Sequence, residues 1–176
     1  MKNTKFALGL LAVLLCGSAG ARNGEVKMRE GTITLPAYQV NAPEKAPLFE
    51  RDFAYQRARR GVYPYAMNDN PTNEKADTTY RALFLENDYL EVCVLPDIGG
   101  RLFYATDKTN GYEIFYRQHV IKPANVGMLG AWISGGVEWN VFHHHRATSN
   151  IPCDYRIVEN GDGSKTIWVG ETELRH

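Results

Sequence analysis

The sequence is short of cysteine, has no excess charge of either sign, and carries a single long apolar run. Its three cysteines form no Cys-x-x-Cys pair and no Cys/His zinc spacing, so they mark no cysteine-based zinc module. Lys and Arg number 20, and Asp and Glu also number 20. That balance leaves no polyanion-binding footprint, so nucleic acid is not an expected partner. The cluster Arg57, Arg59, Arg60 in "YQRARRG" reads as a solvated face. The apolar run, Phe6 to Leu15, is too short to span a bilayer, which needs about 20 residues. No internal repeat or low-complexity tract occurs. "ISGG" is not a G-x-S-x-G elbow, so triad-type hydrolysis lacks its nucleophile.

What is present begins with an export signal. Lys2 and Lys5 precede the apolar run, and Ala19-Gly20-Ala21 fits a small-x-small cleavage pattern. The expected cut leaves Arg22 first. Cys16 invites a lipoprotein reading, but Leu15 stands where that processing wants a small residue. Without Lys2 and Lys5 the mature part carries 18 basic against 20 acidic residues. It is expected to be periplasmic or secreted, with no membrane association after cleavage. Of the cysteines that remain, Cys93 lies in the strand-like "YLEVCVLP" and reads as a small buried hydrophobe.

The rest reads as all-β, most simply an antiparallel meander and β-sandwich. "GTITLPAYQV" alternates until Pro36 interrupts it. Residues 22–79 are expected to form an extended N-terminal segment, with a short helix possible around Pro47 to Arg60. From Tyr80 the β-domain proper begins. "YRALFLE", "YLEVCVLP", "RLFYAT" and "YEIFYR" alternate with turns at Asn87-Asp88, Asp97 to Gly100 and Asp107 to Gly111. "CDYRIVE" and "KTIWVGET" flank "NGDGS" as a further hairpin.

Between these lies "GAWISGGVEWNVFHHHRATSNIP", residues 130 to 152. It packs tryptophans, a glutamate, three histidines and an arginine among glycines, and long loops of this kind often carry function. The bland alternative is that its glycines only turn the chain. Read as a strand, "VEWNVFHHH" places Glu138, Asn140, Phe142 and His144 on one face, with Trp139, Val141, His143 and His145 on the other. A metal site is one reading, since His143 and His145 have H-x-H spacing. A cupin-like site also wants a glutamate shortly afterwards, and four residues on stands Ser149. The preferred reading is carbohydrate. Sugars offer CH faces for indole rings and hydroxyls for polar groups, and imidazole is a natural proton donor to a glycosidic or ring oxygen. The expected substrate-binding groups are Arg101, Trp132, Trp139, Asn140, His143, His145 and Arg146. Trp132, Glu138, His144 and Arg146 are expected on one concave surface with Arg101 at its edge. No cofactor or metal is called for.

The pieces "LPDIGGRL", "VIKP", "WISGGVEWN" and "HHR", with "ERDFAYQRARRGVYPY" upstream, resemble a bacterial secreted family of unknown function grouped with the galactose-mutarotase-like β-supersandwiches. The resemblance implies a sugar-related role. It also implies, in longer members, tetratricopeptide repeats after this domain. In mutarotases a histidine is the general acid and a glutamate the general base, which points here to His144 and Glu138 as catalytic candidates. The mutarotase base comes from a strand far towards the C-terminus, and this chain stops at His176. The resemblance therefore implies the N-terminal part, residues 80–176, of a longer sugar-active or sugar-binding protein. The alternative is a non-catalytic carbohydrate-binding or scaffold module.

Overall fold

The computed structural model describes residues 24–43, 45, 48–51, 61–63, 65–66, 68–126, 130–140, 145 and 148–172. Among these the chain is all-β, with no α-helix. Its strands are β1 (Lys27–Val40), β2 (Leu48–Arg51), β3 (Gly61–Tyr63), β4 (Pro71–Glu86), β5 (Leu90–Leu95), β6 (Arg101–Asp107), β7 (Tyr112–Glu113), β8 (Asp154–Glu159) and β9 (Lys165–Gly170). The order β1-β4-β5-β6-β7 makes one antiparallel sheet, and β2-β3 and β8-β9 form two-stranded ribbons.

Local chemistry builds the meander. Asn87 closes the β4–β5 turn by accepting the Tyr89 and Leu90 N–H groups at 2.9 and 2.8 Å. Asp107 does the same after β6, accepting from the Thr109 N–H and hydroxyl at 2.8 and 2.6 Å. Between β5 and β6, Pro96–Ile98 makes a 3₁₀ turn that ends on left-handed Gly99 and Gly100. Asp97 in that turn accepts the Arg81 backbone N–H at 2.6 Å. β5 pairs with β4 only as far as Leu83↔Val94, so this carboxylate serves a donor that β5 does not reach.

Several boundaries differ from the sequence expectation. β1 runs straight through Pro36. Its outer edge carries the Ile121 segment, with Tyr38 N–H donating to Ile121 O and Ile121 N–H to Pro36 O, both at 2.9 Å. The missing proline donor thus lies on the side away from β4, where the ladder does not need it. β4 begins at Pro71 rather than Tyr80. Its polar first half looks like a loop because both faces there meet solvent, yet β1 pairs along it and Thr34 and Thr79 hydroxyls meet at 2.8 Å. Leu48–Arg51 is strand where a helix start is expected, and residues 52–60 lie outside the described set. "YEIFYR" contributes only the two residues of β7.

The core sits on one face of the sheet. Tyr80, Ala82, Phe84, Cys93, Phe103 and Tyr104 pack with Ile121 and Ile133 from the connecting segment. Leu83 and Ala105 are also buried, so the middle of β4 and β6 is covered on both sides. The cover on the second side comes with β8–β9. Cys153 N–H donates to Pro96 O at 3.0 Å, Gly99 N–H to Ile151 O at 2.8 Å, and the Tyr155 hydroxyl to Glu30 at 2.6 Å.

Candidate functional site

Residues 121–126 and 130–140 lie across the sheet in short backbone pairings rather than as a strand. Ala124 and Trp132 exchange both hydrogen bonds at 2.9 Å, which fixes the backbone from which the Trp132 indole projects. Val137 pairs with Leu102 at the start of β6, with bonds of 2.9 and 3.2 Å. Gly136 N–H donates to Tyr116 O at 2.9 Å, and Gly136 has φ +61. Glu138 follows directly and is therefore held against β6. The stretch 138–140 itself has no regular secondary structure, so the two-faced strand expected for "VEWNVFHHH" does not form over these residues.

Glu138 is the hub. Its side chain is 10% exposed. Oε2 accepts from Trp132 Nε1 at 2.9 Å, from His145 Nδ1 at 2.7 Å and from Asn140 Nδ2 at 3.4 Å. The Trp132 and His145 rings lie 4.8 Å apart, tilted by 37°. A carboxylate has no proton to give when ionised, so the Nδ1 position of His145 carries the hydrogen in this pair. Oε1 is buried and has no hydrogen-bond partner among the described residues. The arrangement is a charged acceptor, ordered on one side and open in hydrogen-bonding capacity on the other.

The structure thus brings Trp132, Glu138, Asn140 and His145 together. Trp139 turns away, is half exposed, and lines a separate cleft beside β9. Arg101 is 3% exposed, and its guanidinium donates to Gly135 O at 2.5 Å and Ile133 O at 2.9 Å. It clamps the loop backbone from below. His143, His144 and Arg146 lie outside the described residues. Ser149, which stands where a cupin-like site would want a glutamate, is fully buried and donates to Ala131 O at 3.2 Å, beside the Asn68 carbonyl that holds Ala131 N–H at 2.6 Å. Nothing in its sequence context marks this structural role. Among the described residues no three His, Cys, Asp or Glu side chains are grouped to hold a metal ion.

Fold and site together define an all-β antiparallel domain whose polar cluster around Glu138 is carried by glycine-hinged connecting loops. Residues 57–176 match the family described as "Domain of unknown function (DUF5107)", and the chain belongs to it. The chain is also similar to a crystal structure of a TPR-domain containing protein from Parabacteroides distasonis ATCC 8503. The two share 26% identity over 80% of this chain, with a TM-score of 0.62. This chain spans 23% of that protein's length.

Proposed function

We propose that this chain is a carbohydrate-binding domain of an exported protein, built on a galactose-mutarotase-like sandwich. The observation that carries the reading is the Glu138 carboxylate. Its Oε2 collects three donors while its buried Oε1 has none among the described residues. An unsatisfied buried acceptor costs about 1–3 kcal/mol, and a sugar hydroxyl is a donor that removes that cost. The indole of Trp132 beside it supplies a flat apolar surface for the CH face of a ring. In this reading the proton-transfer role that the resemblance gave to His144 passes to His145, the imidazole that the carboxylate orients. The Lys2/Lys5 start and the Ala19-Gly20-Ala21 site support export. The tetratricopeptide protein to which the chain is similar supports a repeat region as a neighbour in longer family members.

Titration calorimetry of the full chain against a monosaccharide panel tests the reading. Heat of binding is expected for at least one sugar. Glu138→Gln is expected to weaken it by about 1–3 kcal/mol, the scale of a lost charge-assisted hydrogen bond. A chain that takes up Zn²⁺ with micromolar affinity but no sugar overturns the proposal in favour of a histidine metal site.

A further inference from the structure

Trp139 and Trp168 are both strongly exposed, at 50% and 64%. They line one cleft of about 300 Å³ with Ile167 and Val169 of β9 and Val94 and Leu102 of the main sheet. Its floor includes Gly99 and Gly100, at φ +79 and +65. A Cβ on Gly100 would stand 2.8 Å from the Val169 side chain and 2.9 Å from Cys153 Sγ. The floor is bare peptide because a side chain there has no room.

We propose that this cleft is a second sugar subsite, and that the ligand class of the domain is an oligosaccharide rather than a free monosaccharide. The proposal rests on the carbohydrate reading of Glu138. Three features support it. The volume is at the small end of ligand sites, which run from about 300 to 1,000 Å³, and suits a single ring rather than a large cofactor. The lining offers the two exposed indoles of Trp139 and Trp168, flat apolar surfaces that match the CH face of a pyranose. Glu138 and Trp139 are consecutive, so the backbone between them is the partition shared by the two places. The Glu138 side chain is buried on one side and the Trp139 indole opens on the other. Only a ligand of two or more linked rings reaches both.

The experiment screens the labelled full chain on an array of mono- to hexasaccharides. Calorimetry then follows with the strongest oligosaccharide and with its component monosaccharide. Trp168→Ala is expected to weaken the oligosaccharide by roughly tenfold and to leave the monosaccharide unchanged, while Trp168→Phe restores most of the loss. Glu138→Gln is expected to weaken both. Because Trp168 is exposed, its replacement spares the core, and an unchanged circular dichroism spectrum and melting temperature check this. If Trp168→Ala and Trp139→Ala leave oligosaccharide affinity intact while Glu138→Gln reduces it, the subsite is refuted and the Glu138 site stands. If nothing on the array binds, the carbohydrate reading itself fails and the subsite with it.

Discussion

Cys93 shows how far the strand around it decides a single side chain. It is fully buried between Phe84 and Tyr104, its register partners on β4 and β6. Burial pushes its thiol from an ordinary 9.0 up to about 12. Burial likewise raises the hydroxyl of Tyr104, helped by its hydrogen bond to Glu91. The thiolate is the reactive form, so iodoacetamide at pH 8 is expected to leave Cys93 unmodified in the folded chain and to label it after urea. Peptide mapping reads the outcome, and labelling of Cys93 in the native protein contradicts this burial. The same shift has a pH consequence. Above about pH 9 the unfolded chain releases the thiol proton and the folded chain keeps it, so stability falls as pH climbs from 9 towards 12. Below 9 both states hold the proton and this group contributes no slope. Urea midpoints measured at pH 8 and pH 10.5 test the sign.

Among the elements, the connecting loop matters more than any strand. Its path depends on Gly136, whose N–H is held by Tyr116 O and whose φ is +61. A Cβ there would run into the Leu102 carbonyl and crowd the Phe103 backbone. Gly136→Ala is therefore expected to destabilise the chain by about 2 kcal/mol or more, seen as a lower urea midpoint, and to displace Glu138 from the Trp132 and His145 donors. Gly161→Ala, where a Cβ meets nothing within 4 Å and φ is ordinary, is the control and is expected to be near neutral. The hairpins were legible because their turn residues announce themselves: Asn87, Asp107 and the Asp162-Gly163-Ser164 turn all bond their own backbone nearby. The first half of β4 was not legible. Its polarity reports solvent on both faces, and only pairing with the distant β1 makes it a strand.

For the whole molecule, the export proposal makes a direct prediction. Mass spectrometry of the chain recovered from the periplasm or medium of a Gram-negative host is expected to find Arg22 as the N-terminus. An intact Met1, or a lipid on Cys16, overturns it. The main sheet, its Ile121 edge strap and the β8–β9 ribbon are joined by long-range backbone and side-chain ties: Ile121 to β1, Val137 to β6, Ile151 and Cys153 to the 96–99 turn, and Tyr155 to Glu30. Those ties set where the Glu138 hub and the Trp139–Trp168 cleft lie relative to the sheet.

The sequence by itself determined the all-β class, the β4–β7 meander, the final hairpin and the loop that holds Trp132, Glu138 and His145. Each of these rests on period-two alternation, on turn chemistry within a few residues, or on the concentration of unusual residue types in one stretch. That His145 meets Glu138 was decided by the tertiary structure. Strand periodicity put His144 on the face of Glu138 and His145 on the other; residues 138–140 follow no strand geometry, the carboxylate receives the Nδ1 of His145, and His144 lies outside the described residues. Arg101 was expected among the substrate-binding groups, at the edge of the surface. Its position is set by carbonyls 32 and 34 residues away, which no local pattern encodes. Trp168 lies in the expected final hairpin, and it became part of a cleft when the ribbon folded back onto Gly99 and Gly100. The physical reason is common to all three. Periodicity and turn propensity act between near neighbours, whereas a site is assembled by hydrogen bonds and packing between segments whose meeting is fixed by the complete chain path.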